Sequence, residues 1–191
     1  MVQNVFILLL GFPGVGKLTI AQKLSEVFPA RIIDNHWINN PILALLDNDG
    51  QSRLPDAIWE QTAKVRDAVL STIVRFCDPS ANFILTSAGV EDHAKSLESY
   101  QQVKNAADQR GALFVPVRLL CNENELVRRV ASPSRLQRLK SVDIEDARRR
   151  SRTATVLNPS HENVLSIDVT RISTQDSAKI IHAHVLGVGS G

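Results

Sequence analysis

Apolar positions along this chain come in short, nearly unbroken runs at 5–10, 30–33, 82–86, 113–120 and 164–169. Runs of this kind read as β-strands buried on both faces, because a strand with one wet face would alternate. Consecutive runs are far enough apart to hold at least one helix each. The clearest helix is predicted over 55–77: Pro55 suits a first turn, Asp56 favours the positive end, and Ile58, Thr62, Val65, Val69, Ile73 and Phe76 form one stripe. "SLESYQQVKNAADQRGA" predicts another, stopping at Gly111. From 122 to about 155 the pattern is helical and basic, interrupted by "ASPSR", and the tail "GVGSG" is expected to fray. Alternating strands and helices predict an α/β fold with three layers, α/β/α, around a five-stranded parallel sheet. No repeat or linker divides the chain, so we expect a single domain, 1–191.

The first strand runs straight into "GFPGVGKLT". Gly11, Gly14 and Gly16 have the spacing that lets a backbone wrap around phosphate oxygens with its amide hydrogens inward. Lys17 adds positive charge where the next helix opens, and a helix N-terminus already favours anions. Glycines alone are weak evidence. Here they follow a strand and open a helix, the context in which a phosphate-binding loop works, and this favours nucleotide binding over a merely structural turn. Leu18 stands where a magnesium-binding hydroxyl is usual, and Thr19 follows one place later.

With these residues the chain resembles the nucleoside-monophosphate-kinase-like P-loop kinases: adenylate, shikimate and gluconate kinases and antibiotic phosphotransferases. Several of them read G-x-P-G-x-G-K-x-T. The resemblance implies a P-loop NTPase fold with a small helical lid, here about 129–150. It implies Mg-ATP as phosphoryl donor, bound by Gly11, Pro13, Gly14, Val15, Gly16, Lys17, Leu18 and Thr19. It also implies magnesium held by Thr19 and Asp34 together with nucleotide oxygens and water, as suits an ion that keeps much of its hydration.

The remaining expectations follow the same resemblance. The second strand ends "RIIDNHW", and Asp34 occupies the place of the aspartate that faces the acceptor hydroxyl and magnesium. The competing reading is that Asp34 and Asn35 cap a helix starting near Trp37. His36 is equally well a surface or packing residue. The third strand offers Thr86, Ser87 and Gly89 where an acid is usual, leaving Glu91 and Asp92 as distant candidates. In the basic segment, Arg128 or Arg129, with Arg129 preferred, matches the arginine that stacks on adenine. Arg135 and Arg138 match lid arginines, and Arg148, Arg149 or Arg152 would reach back from the returning helix. After the fifth strand Val169, Thr170 and Arg171 match the adenine pocket, Thr170 foremost, while Asp168 fixes that loop or caps the last helix. No N/T-K-x-D guanine signature occurs, so ATP is preferred over GTP.

Composition narrows this picture. A net charge of +2 argues against a protein built to coat nucleic acid. Cys77 and Cys121 have no metal-like spacing and read as small buried hydrophobes of a reducing compartment. The apolar start has no basic residues and passes directly into the glycine loop, so we expect neither a signal peptide nor a membrane segment, and a cytoplasmic protein. The expected function is an ATP-dependent small-molecule kinase, with Lys17, Asp34, Arg135 and Arg138 as the catalytic group. The alternative is a nucleotide-binding module without transfer. The unidentified acceptor should lie against "DNHWINNP", the 55–77 helix and "TSAGVED", with Asn39, Asn40, Trp59, Glu60 and Arg66 available to it. Trp37 and Trp59 read equally well as core. A monomer or a homodimer would satisfy the chain equally.

Overall fold

The computed structural model describes residues 2–46, 54–132, 135 and 140–190. Its elements in chain order are β1 (Val5–Leu10), α1 (Lys17–Val27), β2 (Arg31–Ile33), α2 (Asn35–Leu43), α3 (Asp56–Phe76), β3 (Phe83–Ser87), α4 (Ala94–Gln109), β4 (Leu113–Leu120), α5 (Glu123–Val130), α6 (Ile144–Thr153), β5 (Leu165–Asp168) and α7 (Thr174–Val188). The five strands form one parallel sheet in the order β2-β3-β1-β4-β5. Helix α1 packs with α7, and α3 with α4, so the sheet is covered on both faces.

The run VFILLL explains why β1 is central. All six of its side chains are fully buried, which requires a layer above, a layer below and a strand on each side. Its Phe6 ring meets Phe83 of β3 at 5.2 Å between centroids. Truncating one of these β1 leucines to alanine would cost roughly 2–5 kcal/mol. The chain leaves β1, travels to the outermost β2, returns to β3 beside β1, then crosses to β4. That reversal places the ends of β1, β2 and β3 around one crevice, the position at which open α/β sheets bind ligands.

Four expectations need correction. Helix α2 begins at Asn35, two residues earlier than Trp37, and carries Pro41 within its nine residues. Phe76 ends the α3 stripe but is 79% exposed. The tail does not fray at Gly187: α7 continues to Val188, and the Gly189 amide bonds to the carbonyl of Val185. Both cysteines are free thiols but only half-buried.

Candidate active site

The loop between β1 and α1 bends at two glycines, and the Val15 amide within it donates to the Phe12 carbonyl. Gly14 and Gly16 have φ of +95° and +102°, in the left-handed region that a Cβ disfavours. A Cβ on Gly14 would also lie 2.6 Å from Cγ2 of Val130 on α5. Gly16 is the N-cap of α1 and no side chain caps it, so the first-turn amides of that helix point at the crevice without partners within the helix. Those amides and the helix dipole together make an anion site. Lys17 stands at its mouth and folds back on the loop, its Nζ donating to the carbonyls of Gly11 at 2.5 Å and Phe12 at 3.1 Å. Burial pushes the Lys17 ammonium down to about 7. Arg135 and Lys140 push the same way, and the Asp34 carboxylate opposes them.

Asp34 faces this loop from the end of β2 and is only 4% exposed. It precedes the first residue of α2, yet its carboxylate caps nothing. Its Oδ1 accepts from the Thr86 hydroxyl at 2.6 Å, and its Oδ2 pairs with Lys140 Nζ at 3.3 Å. Thr86 Oγ1 accepts in turn from the amide of Asn35 at 2.9 Å. The capping reading of Asp34 therefore gives way to a carboxylate held by the neighbouring strand. Burial alone would raise its pKa. The Thr86 hydrogen bond, Lys140 and His36 outweigh burial and hold Asp34 below the usual carboxylate range. His36 is pushed down to about 4, first by burial and then by Lys140, so it is neutral at pH 7.

No known family profile matches this chain, and no curated protein matches it in sequence. Solved structures do match in three dimensions over nearly the whole length. A gluconokinase from Sinorhizobium meliloti 1021 is 13% identical, with a TM-score of 0.68 over 100% of this chain and 96% of that chain. The Mycobacterium tuberculosis APS kinase, in complex with AMPPNP and APS, is 12% identical, with 0.61 over 96% and 98%. A shikimate kinase from Acinetobacter baumannii, in complex with shikimate, is 16% identical, with 0.52 over 96% and 93%. The fold is that of the P-loop kinases. Identities this low speak for the fold alone.

Within the P-loop kinase fold, the structure gathers some expected residues and disperses others. Lys17, Asp34 and Arg135 converge: Arg135 is partly buried, donates from Nε to the Ser141 carbonyl at 2.9 Å, and its charge reaches Lys17. Arg138 lies outside the described residues. Leu18 is partly buried, while Thr19 faces solvent. Arg129 spans the loop, donating to the carbonyls of Val15 and Val169 at 2.9 Å each and to Glu125 Oε1 at 2.7 Å. It thereby fastens the phosphate loop to the segment after β5. Thr170 Oγ1 accepts from the Asn122 amide, and Asp168 accepts from the Thr170 amide, so Asp168 fixes that loop while Ser173 caps α7.

The outer arginines turn elsewhere. Arg128 pairs with Glu125, Arg148 with Glu145, Arg149 with Asp146 and Arg152 with Glu123. The expectation that α6 reaches back to the glycine loop is corrected for Arg148, Arg149 and Arg152, which turn to acids of α5 and α6 instead. Glu91 is also structural: its carboxylate accepts the Asn158 amide at 2.7 Å. Trp37 is 61% exposed and is not core. Arg66 of α3 points to Gln102 of α4 at 3.3 Å. Lys140 was missed altogether. No motif marks it, and its partner Asp34 is 106 residues away in sequence. Among the described residues no group of three or more His, Cys, Asp or Glu could hold a metal, and no helix is long and apolar enough to cross a membrane.

Proposed function

We propose that this chain is a kinase that transfers the terminal phosphoryl group of ATP to a hydroxyl or phosphate of a small molecule. One observation carries the reading: the uncapped N-terminus of α1, with Lys17 at its mouth, faces a buried Asp34 within electrostatic reach, at the sheet's reversal point. The loop fits a polyphosphate, since a Cβ at Gly16 would meet nothing nearer than 3.8 Å and Lys17 already spends its protons on loop carbonyls that phosphate oxygens would replace. Asp34, with water, fits a magnesium ion that neutralises charge on the donor phosphates.

The residues then divide the work. Loop amides and Lys17 hold the donor, and Arg135 adds positive charge beside it. Asp34 orients the acceptor hydroxyl and takes its proton as the new O–P bond forms; the bond to the bridging oxygen breaks and its electron pair leaves with ADP. Residues 129–150, which carry Arg135 and Lys140, serve as the lid that excludes water. Incubation with Mg-ATP and candidate acceptors tests this. Acceptor-dependent ADP formation is expected, and a Lys17→Ala variant as fast as wild type would overturn it. Thr86 at the end of β3, in place of an acid, favours a second reading, a nucleotide-binding protein without transfer. ATP binding with no acceptor-dependent turnover would select that reading.

A further inference from the structure

Asp34 is closed to reactants in this structure. The residue is 4% exposed, its Oδ1 is taken by the Thr86 hydroxyl, and its Oδ2 by the Lys140 ammonium. Neither an acceptor hydroxyl nor a metal ion reaches a carboxylate covered in this way. One of its two companions has to leave. Thr86 is buried within β3, and its oxygen also holds the Asn35 amide, so it stays. Lys140 is the companion that can go.

The Lys140 contact has the character of an exchangeable one. Its length is 3.3 Å, beyond the ~2.7–2.9 Å of a tight charge-assisted bond. The chain builds its permanent tethers from arginine instead: Arg118 donates to the carbonyls of Leu157 and Val156 at 3.1 and 3.0 Å, and Arg129 to those of Val15 and Val169 at 2.9 Å each. An ammonium is a compact, strongly hydrated charge on a flexible stem, so it leaves a buried partner more readily than a guanidinium fork. Its departure would strand a buried carboxylate, and a second cation is the group that relieves this. The backbone around it is held without Asp34: the Lys140 amide donates to the Arg135 carbonyl at 3.0 Å, and Arg135 Nε to the Ser141 carbonyl at 2.9 Å.

We infer that Lys140 is a built-in counter-ion of Asp34 that keeps the carboxylate closed and competes with the divalent metal for Oδ2, so that the lysine leaves as the metal enters. This deepens the kinase reading and rests on it for the reaction, though not for the exchange of cations. The competition is reciprocal: the factor by which the lysine weakens the metal is the factor by which the metal weakens the lysine's hold. The Lys140 charge is already felt at Lys17, so a released ammonium stands beside the loop proposed to hold the donor phosphates.

Lysine labelling and metal titration test this together. Acetylation of the wild-type protein, followed residue by residue in a mass spectrometer, should be slow at Lys140. It should speed up at least fivefold as Mn²⁺ is added, while exposed Lys179 keeps its rate. By calorimetry, Lys140→Met should bind Mn²⁺ at least tenfold more tightly than wild type, with or without a non-hydrolysable ATP analogue. Adding Asp34→Asn to that variant should abolish the gain. Fast labelling of Lys140 before metal, labelling that Mn²⁺ leaves unchanged, or equal Mn²⁺ affinity in wild type and Lys140→Met overturns the inference. Acceptor-dependent ADP formation by the same protein then keeps the kinase reading standing. Should Lys140→Met fail to fold, labelling of the wild type decides alone. Release of Lys140 by Mn²⁺ in a protein that binds no ATP analogue upholds the inference and removes the kinase reading.

Discussion

Two clusters of positive charge lie within one stretch of this fold and its neighbours, and they have different fates. The inner cluster, Lys17, Arg135 and Lys140, is drawn in around Asp34, and burial lowers the pKa of Lys17 to about 7 and that of Arg135 as well. The outer cluster, Arg128, Arg148, Arg149 and Arg152, spends its charge on Glu125, Glu145, Asp146 and Glu123. Both are equally basic on paper. What separates them is desolvation: a charge short of water and short of acids is costly until an anion arrives, whereas a surface pair is already content and worth little. A basic segment becomes a site where its cations are left unneutralised, not where they are most numerous.

The comparison can be broken at its inner side first. Asp34→Asn keeps the shape but removes the proton acceptor, and kcat should fall about 10²–10⁴-fold with nucleotide affinity nearly unchanged, read by steady-state kinetics and calorimetry. Lys17→Met should cost about 10²–10³-fold in kcat and weaken nucleotide binding as well, which separates its role from that of Asp34. Gly14→Ala forces a side chain to φ +95° and against Val130, costing roughly 1–3 kcal/mol in urea denaturation along with nucleotide affinity.

A milder effect comes from pH. Burial pushes Lys17 down to about 7, and a phosphate would favour its charged form. Above pH 7 binding must therefore take up a proton, and affinity should fall by up to about tenfold per pH unit, with proton uptake measurable by calorimetry in buffers of different ionisation enthalpy. Lys17→Arg, always charged, should flatten that slope. Least of all, Arg148→Gln and Arg149→Gln on the outer side should leave kcat and melting temperature unchanged. A large loss of activity there would erase the distinction between the clusters.

Much of this was legible in residue order. The five strands, the α/β alternation and the glycine loop are local patterns, and local patterns survive without knowledge of the fold. Asp34 was legible as well, though its partners were not: Thr86 lies 52 residues away and Lys140 106, and only strand pairing and the returning chain bring them together. Arg148 and Arg149 misled because a helix with acids three places earlier satisfies its own arginines, an i, i+3 effect that a count of basic residues ignores, and Arg152 because it pairs across to Glu123 of α5.

The hydroxyl of Thr86 has one more effect. The Asn35 amide occupies its oxygen, so its single proton is committed to Asp34 Oδ1. The two oxygens of that carboxylate are no longer equivalent, and only Oδ2, where Lys140 now rests, can exchange its companion. Whatever replaces the lysine must approach from that flank. A hydroxyl brought to this carboxylate would thus meet it from one side only, a direction set by a threonine on the strand next door.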